Sequence, residues 1–278
     1  LAGLPFGGAK SGIIADPRHI TPKKKKDIVV AFAEALKVVS PSLYVAAPDI
    51  NMAEKEMEWY VKGNGNKKSC TGKPKKLGGI PHELGSTGFG VYHSLLVAAK
   101  YAKLNPHKST VAIEGFGNVG WFVAKYLSGC CKNIVAVSDS KGVIYNKDGL
   151  DFDKLVQIKK KEGTVTAYRP GQVLPTTSIL DVKADILVTA AVPDLIKEGD
   201  VDRLKFKMIV EGSNIPMTDA VEKLIYKKDI TVVPDFVANA GGVISSYVEY
   251  TKGTPKKMFE LVESKIKKNT KDVMELAK

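Results

Sequence analysis

The first third of the chain has the hydrophobic spacing of amphipathic helices separated by short irregular segments. Thr21 and Pro22 supply an N-cap and a first-turn proline for a helix that extends to about Val39. A short buried strand over 43–47 and a second helix over 53–62 are predicted to follow. The residues expected on the buried face of the first helix are Ile28, Phe32, Ala35 and Val39.

Residues 63–81 are rich in glycine, lysine and proline, which favours a loop or hinge over a packed element. A domain boundary is therefore expected near Gly85. Ser86 and Thr87 can cap a third helix that runs to about Leu104. Its expected apolar side consists of Val91, Leu95, Val97 and Ala98.

From about residue 110 the pattern changes to short β-branched strands that alternate with helical stretches. Parallel strands need crossovers of that length, so the pattern predicts a doubly wound, mostly parallel α/β sheet of the Rossmann type. An amphipathic helix is predicted from Pro255 to Lys278. The predicted strands cover 110–113, 134–137, 185–188, 208–211 and 231–233.

A glycine motif follows the first of these strands and opens a helix. Its residues are Gly115, Phe116, Gly117, Asn118, Val119 and Gly120. Asp139 ends the next strand, 19 positions after the last glycine. In this arrangement a pyrophosphate binds at the helix N-terminus and the acid binds ribose hydroxyls. The context favours a dinucleotide site over a structural glycine turn.

Small and amide-bearing residues follow the later strands, at 189–191, at 212–214 and at Asp235. Ligands of doubly wound sheets bind at the carboxyl ends of strands, so these residues are expected to line the cofactor crevice. The predicted contacts are Ala190, Ala191 and Asn214. For Asn214 alone, a role in a turn is an equal alternative.

Near the start of the chain, a lysine follows a glycine turn. Gly7 and Gly8 precede Lys10, and glycines there can adopt positive φ and let a substrate approach the main chain. A lysine held out of water at such a turn can act as a general base or carbonyl activator. The local pattern alone favours the alternative, a solvated surface lysine. Asp49 follows the predicted strand at 43–47, a position well placed for function.

Composition narrows the classes of protein. With 278 residues and 44% hydrophobic content, the chain is long enough for two domains. No apolar run approaches the roughly 20 residues of a membrane span and no signal-peptide pattern opens the chain, so no membrane partner is expected. Cys130 and Cys131 adjoin where a helix gives way to a strand. Neither the cysteines nor the histidines have ligand spacing, so we expect no metal and a reducing cytoplasm.

The net charge of +12 raises the possibility of nucleic-acid binding. Against it, the only arginines are Arg18, Arg169 and Arg203, and the lysines are scattered over polar positions. Specific nucleic-acid recognition relies on arginine forks. A lysine-rich solvated surface is therefore the favoured interpretation, and no nucleic-acid partner is expected.

Eight ordered segments together resemble the glutamate dehydrogenases of the wider amino-acid dehydrogenase family, in register from Leu1 to Lys278. They are LPFGGAK at 4–10, AAPD at 46–49, GKP with LGG at 72–79, STGFG at 86–90, GFGNVG at 115–120, SDSKG at 138–142, VEGSN-P at 210–216 and VPDFVANAGGVISSYVEY at 233–250. Ser11, where many members have glycine, and 80–84, where relatives often carry an arginine, depart from the family pattern.

The resemblance implies roles for individual residues. Lys10 would help to add or remove water at the substrate carbon, and Asp49 would relay protons to and from the nitrogen. Thr87 and Asn118 would contact the nicotinamide cofactor, and Asp139 with Ser140 would contact the adenosine ribose. At the cleft floor lie Asn239, Val243 and Ser246, and the serine favours glutamate over apolar amino acids.

The resemblance also implies reversible oxidative deamination of L-glutamate to 2-oxoglutarate and ammonia with NAD or NADP, by a homo-oligomer that is a hexamer in the family. Alternatives are a leucine, valine or phenylalanine dehydrogenase and a non-catalytic NAD(P)-binding regulatory subunit. The expected domains are 1–85, the rear part of an α/β substrate and dimerisation domain; 86–250, the dinucleotide-binding domain; and 251–278, an incomplete helical segment. The chain is expected to be truncated at both ends and to lack two upstream substrate lysines.

Overall fold

The computed structural model describes residues 2–16, 18–130 and 133–277. The terminal residues of the predicted domains, Leu1 and Lys278, and one of the adjacent cysteines, Cys131, lie outside the described residues. The chain divides into two compact units. The sheet unit comprises 85–241 and 262–277 with Ala2, and the helical unit comprises 3–84 and 242–261.

The described residues form seven strands and nine α-helices. The strands are β1 (Val111–Glu114), β2 (Ile134–Asp139), β3 (Gly142–Tyr145), β4 (Gln172–Leu174), β5 (Ile186–Thr189), β6 (Met208–Glu211) and β7 (Thr231–Val233). The helices are α1 (Pro22–Ala35), α2 (Glu54–Asn64), α3 (Ser86–Tyr101), α4 (Asn118–Cys130), α5 (Phe152–Glu162), α6 (Asp219–Lys227), α7 (Asp235–Ala238), α8 (Gly241–Tyr250) and α9 (Pro255–Leu276).

All seven strands belong to one sheet in the order β4-β3-β2-β1-β5-β6-β7. The five strands from β2 to β7 through β1, β5 and β6 are parallel, whereas β3 and β4 form an antiparallel edge. The predicted mostly parallel, doubly wound α/β sheet is confirmed. After β1 the chain adds β2, β3 and β4 on one flank of β1, and it then adds β5, β6 and β7 on the other flank. The topological switch point therefore lies between β1 and β5.

Alternate residues of the central strand enter two different cores. Val111 and Ile113 belong to a buried cluster with Leu95 of α3 and Leu127 of α4. Ala112, between them, belongs to a second cluster on the opposite face of the sheet. Each buried aliphatic side chain contributes about 1.5–3 kcal/mol. Both faces are therefore covered, which is why these strands are almost entirely apolar.

In the helical unit, α1 packs closely on α2. A Cβ at Gly63 of α2 would lie 2.5 Å from the Val30 carbonyl oxygen, so only glycine permits this approach. The fully buried residues of α1 are Val29 and Ala33; of the predicted face, Phe32 is partly buried and packs on the same cluster, whereas Ala35 is exposed. The prediction fails at its C-terminal end, because α1 ends at Ala35 and a 3-10 turn follows instead of the predicted continuation to Val39.

Two other local predictions in the helical unit need correction. The strand predicted over 43–47 is reduced to one parallel bridge, between Ala46 and Cys70, and Leu43 is exposed. The segment predicted as a loop or hinge is largely irregular, as predicted, but it is packed at its centre, since residues 69–74 are all buried. The bridge explains both results, because the two segments contact each other at one position without forming a ladder.

The third helix begins where predicted but is capped differently. Gly85 is the N-cap, with a left-handed φ of 78°, and no side chain caps the helix. Ser86 and Thr87 lie inside the first turn, and both are buried. A Cβ at Gly85 would lie 2.2 Å from the Phe122 ring, so the chain enters α3 in tight contact with α4. Among the described residues, no helix combines the length and apolar character required to cross a bilayer.

Candidate functional site

Lys10 and Asp49, 39 positions apart in the sequence, form an ion pair in the helical unit. Asp49 Oδ1 also accepts a hydrogen bond of 2.8 Å from the backbone of Ile50. The hydrogen bond from Lys10 is the main reason that the pKa of Asp49 lies below its ordinary value, with burial opposing it. Asp49 is therefore ionised at neutral pH and able to accept a proton.

The glycine turn before Lys10 differs from its prediction. Gly7 and Gly8 do not have positive φ, and a Cβ on either residue would meet no atom within 4 Å. The Lys10 side chain is 82% exposed and that of Asp49 is 48% exposed, so the helical unit by itself does not remove the lysine from water. The turn is open rather than strained, which leaves free space around both functional groups.

Aromatic contacts connect the glycine-lysine segment to α8. Phe6 packs edge-on against Tyr247 and Tyr250, with ring centroids 5.4 and 5.5 Å apart. Val243 and Ser246 lie one turn apart on the same helix, with Val243 exposed and Ser246 partly buried. Within the described part of the helical unit, hydrogen bonds and ion pairs join Lys10 to Asp49 but join neither of them to Val243 or Ser246.

The glycine motif between β1 and α4 has the geometry of a phosphate-binding turn. Gly115 has a φ of +90°, and a Cβ there would lie 2.5 Å from the Ala191 Cβ. A Cβ at Gly120 would lie 1.9 Å from the Gly115 carbonyl oxygen, so this position holds α4 against the strand. Gly117 has open space around it and is followed by Asn118, the first residue of the 13-residue α4. These residues fit a pyrophosphate at the start of the helix.

A buried carboxylate at the end of β1 holds the end of β5. Glu114 Oε2 accepts hydrogen bonds of 3.0 Å from the backbone N–H groups of both Ala190 and Ala191. Burial raises the pKa of Glu114, while these hydrogen bonds lower it. The contact brings the predicted Ala190 and Ala191 directly beside Gly115 at the switch point. Phe116 is buried and Val119 is partly buried, so both support the turn from within.

The ends of β5 and β6 lie together with two predicted amides. The N–H groups of Gly212 and Ser213 donate to the Thr189 carbonyl over 2.8 and 3.0 Å. Asn239 Nδ2 donates to Asn214 Oδ1 over 2.7 Å. The structure therefore groups Asn214 and Asn239 at the same edge of the sheet as the glycine motif.

Thr87 lies on the opening turn of α3, where its neighbour is the start of α8. A Cβ on Gly241 would lie 3.0 Å from the Thr87 Cα. The first turn of α3 also adjoins α4, since a Cβ at Gly88 would lie 2.7 Å from the Val119 carbonyl oxygen. Thr87 is thus close to the helix that follows the glycine motif, and its contact with nicotinamide stays a prediction.

The carboxylate of Asp139 accepts several hydrogen bonds from neighbouring residues of the sheet unit. It accepts hydrogen bonds from Lys159 Nζ at 2.6 Å, Val165 N at 2.8 Å, Lys141 N at 2.9 Å and Thr164 Oγ1 at 3.2 Å. Only 6% of the side chain is exposed. Despite burial, these bonds hold the pKa of Asp139 below its ordinary value. Its ribose contact stays a prediction, and the adjacent Ser140 is exposed.

Sequence reasoning missed three buried charged residues near these groups: Glu114, Lys73 and Glu249. Glu114 directly precedes the glycine motif, and a charge within an apolar strand was the available signal. Lys73 and Glu249 form a buried ion pair across 176 positions, which no local pattern reveals. Within the described ranges, no three His, Cys, Asp or Glu side chains are grouped to hold a metal ion.

Two family models match the chain. Residues 78–278 match the Glutamate/Leucine/Phenylalanine/Valine dehydrogenase model, and residues 1–64 match the dimerisation domain of the same dehydrogenases. The chain is 38% identical over 287 residues to a glutamate dehydrogenase of Aeropyrum pernix, covering 99% of this chain and 69% of that protein. It is also 38% identical to a glutamate dehydrogenase of Thermotoga maritima, covering 90% of this chain and 62% of that protein.

Solved structures agree with these matches. A hetero-hexameric glutamate dehydrogenase from Thermus thermophilus, in a Leu-bound form, has a TM-score of 0.87 at 25% identity, covering 98% of this chain and 67% of that one. A glutamate dehydrogenase from Peptoniphilus asaccharolyticus has a TM-score of 0.80 at 28% identity, covering 99% and 69%. The chain spans about three fifths to two thirds of the length of the relatives it matches. It belongs to the Glu/Leu/Phe/Val dehydrogenase family.

Proposed function

We propose that the protein carrying this chain catalyses the reversible oxidative deamination of L-glutamate to 2-oxoglutarate and ammonia with NAD or NADP. The observation that carries the proposal is the contact between Lys10 and Asp49, an amine and a carboxylate from distant segments. The glycine motif at the start of α4 supports a dinucleotide partner. Relatives named NADP-specific, from Saccharolobus shibatae, and NADP(+)-dependent, from Pyrobaculum calidifontis, support the phosphorylated form among the cofactors.

Each group has a distinct part in the chemistry. When bound, the nicotinamide accepts the hydride from the substrate α-carbon. Asp49, whose pKa the hydrogen bond from Lys10 lowers, is a carboxylate; it takes a proton from the substrate ammonium group and later returns it to the departing nitrogen. As the neutral amine, after losing its own proton, Lys10 takes a proton from the water whose oxygen bonds to the imine carbon, which gives a carbinolamine. Once Asp49 has returned its proton to the nitrogen, the carbon–nitrogen bond breaks and the hydroxyl proton leaves with the ammonia as ammonium. Glutamate, water and oxidised cofactor thus give 2-oxoglutarate, ammonium, reduced cofactor and one proton.

Binding roles follow from the sites in the two units. Residues of the sheet unit, within the proposed dinucleotide-binding domain 86–250, would hold the cofactor. The helical unit carries Lys10 and Asp49 of the proposed substrate domain 1–85, and residues 251–278 would form the C-terminal helical segment. Val243 and Ser246 on α8 would contact the substrate, and the Ser246 hydroxyl would favour a substrate with a distal carboxylate.

The assembly and location of the whole protein are proposed as well. A homo-oligomer, a hexamer as the resemblance implies, is proposed for the whole protein; the Thermus thermophilus relative is a hetero-hexamer. A cytoplasmic location is proposed, although the relative from Dictyostelium discoideum is named mitochondrial.

The test is a steady-state assay of the full-length natural protein with glutamate, leucine, valine and phenylalanine, each with NAD and NADP. We expect oxidation of glutamate at a kcat/KM at least tenfold above that for the other amino acids. A preference for an apolar amino acid would replace this proposal with the corresponding dehydrogenase. No turnover, with cofactor bound normally, would favour a regulatory subunit.

Lys10→Ala tests the role of the lysine. We expect loss of turnover by about 10²-fold or more with reduced cofactor still bound, since the cofactor groups lie in the other unit. Lys23→Ala, at an exposed lysine of α1 in the same unit, is the matched control and should keep full activity. Unchanged activity in Lys10→Ala would remove the lysine from the reaction.

A further inference from the structure

A buried ion pair in the helical unit has no part in the chemistry proposed above. Glu249 of α8 accepts a hydrogen bond from Lys73, and the exposed fractions of the two side chains are 1% and 7%. Removing two charges from water costs several kcal/mol for each ion, so a buried pair adds little net stability compared with apolar residues. The contacts of the pair therefore indicate that it holds parts of the chain in position.

Glu249 holds one segment of chain at three points. Its Oε1 contacts Lys73 Nζ, and its Oε2 accepts backbone hydrogen bonds of 2.9 Å from Gly72 and 2.6 Å from Ile80. Lys73 Nζ also donates to the Cys70 carbonyl at 2.9 Å. The segment from 70 to 80 is thus wrapped around one carboxylate and fixed to α8.

The other side of this segment supports Asp49. The backbone of Ala46 accepts from Thr71 N over 2.8 Å and donates to the Ser69 carbonyl over 3.0 Å. At Gly72, φ is +68° and a Cβ would lie 2.3 Å from Pro48 Cγ, so only glycine lets the segment lie directly against Pro48. Pro48 immediately precedes Asp49. The segment that Glu249 holds therefore packs directly against the residue that precedes Asp49.

The same helix also contacts the other parts of the site. Ser246 lies one turn before Glu249 on α8. Phe6, four residues before Lys10, packs on Tyr247 and Tyr250, which flank Glu249. One helix thus connects the lysine segment, the aspartate segment and the serine expected to bind substrate.

We propose that Glu249, together with Lys73, is a positioning residue that sets the place of Asp49 relative to α8. The inference rests on the proposed function, because it assigns the pair a role in the proton relay of Asp49. Misplacement of a catalytic group by about 1 Å can cost about 10²-fold in rate. Loss of the pair therefore lowers turnover more than it lowers cofactor binding, whose groups lie in the sheet unit.

The experiment compares four variants of the full-length protein with the unsubstituted enzyme: Glu249→Gln, Glu249→Asp, Lys73→Met and the double variant Lys73→Met with Glu249→Gln. For each, kcat and KM for glutamate, the pH dependence of kcat, the Kd of the reduced cofactor and Tm are measured. We expect kcat to fall about 10- to 100-fold in Lys73→Met, with the cofactor Kd within twofold. The double variant should recover part of Tm, because no unpaired charge is left, but not kcat.

Lys25→Met is the matched control. It removes the partner of Glu56, another carboxylate of the helical unit, whose 2.6 Å ion pair joins α1 to α2. We expect a lower Tm but a kcat within twofold of the parent when it is assayed well below its Tm. The acid limb of the pH profile should shift in the Lys73 and Glu249 variants and stay in place in this control.

The outcomes separate the possibilities. If the Lys73 and Glu249 variants lose Tm as Lys25→Met does but keep kcat within twofold, the pair is structural and the inference is overturned. If Lys73→Met does not fold, Glu249→Asp decides, since it keeps the charge and shortens the reach by one methylene: a tenfold lower kcat supports the inference and an unchanged kcat overturns it. An unsubstituted enzyme that does not oxidise glutamate overturns the proposed function, and the inference with it.

Discussion

Glu211 should make the stability of the sheet unit strongly dependent on pH. It is the last residue of β6 and is 1% exposed. Its Oε2 accepts a 2.9 Å hydrogen bond from Asp235 N, while Oε1 has no hydrogen-bond partner in the part of the chain that the structure describes. Burial raises the pKa of Glu211 from 4.5 to about 8, and the carboxylates of Glu222 and Asp235 add to the rise. Glu211 is therefore protonated in the folded chain at neutral pH.

The sign and size of the effect follow from proton linkage. Below pH 4.5 the Glu211 carboxyl is neutral in the folded and in the unfolded chain, and its contribution to the free energy of unfolding is fully present. Between pH 4.5 and 8 the folded chain keeps a proton that the unfolded chain releases, so the free energy of unfolding falls by about 1.4 kcal/mol for each pH unit. The loss amounts to about 5 kcal/mol by pH 8.

Glu211→Gln removes the titration and keeps an oxygen to accept from Asp235 N. We expect the variant to gain stability over the parent as pH rises from 5 to 8.5, measured by urea unfolding at four pH values. Glu162→Gln, at an exposed glutamate of the same unit, controls for the substitution itself. A difference between Glu211→Gln and parent that does not change with pH would refute the reasoning.

Three further outcomes are expected. Gly120→Ala should lower Tm strongly, because its Cβ would lie 1.9 Å from a carbonyl oxygen. Gly117→Ala, in open space, should keep Tm but weaken binding of the reduced cofactor about tenfold, measured by fluorescence titration. Equal effects of the two variants on Tm and on cofactor binding would contradict this. His93, whose pKa burial lowers to about 4, stabilises the fold above pH 6.5 and loses that contribution as pH falls toward 4, so His93→Gln should flatten the acid side of an unfolding profile. Lys159→Met should lower Tm by leaving the carboxylate of Asp139 without its cation, and the double variant with Asp139→Asn should recover part of it; no recovery would count against the pairing.

The sequence predicted the parts of the sheet unit that depend on local pattern. Each parallel strand has its own apolar run and each turn its own glycine or cap, so the strands and the glycine motif could be located from neighbouring residues. The antiparallel strands β3 and β4 were not predicted. β4 is short and exposed at two of its three residues, which leaves no apolar run to detect.

The helical unit was less predictable because its order comes from distant contacts. The single bridge between Ala46 and Cys70 replaces a strand, and the buried segment 69–74 has a loop-like composition. Its burial depends on Glu249, which comes 176 positions after Lys73. The ion pair of Lys10 with Asp49 could be suggested by the family resemblance but not by spacing.

The bonds from Glu114 to Ala190 and Ala191 have a consequence for the energetics of ligand binding. These two amides follow β5 and belong to no strand, yet a carboxylate from the neighbouring strand orders them. They should exchange with deuterium at rates closer to those of the sheet than to those of a loop. Because Ala190 and Ala191 are already ordered in the folded chain, they lose little conformational entropy when a ligand binds beside them. More of the contact energy with the ligand then contributes to affinity.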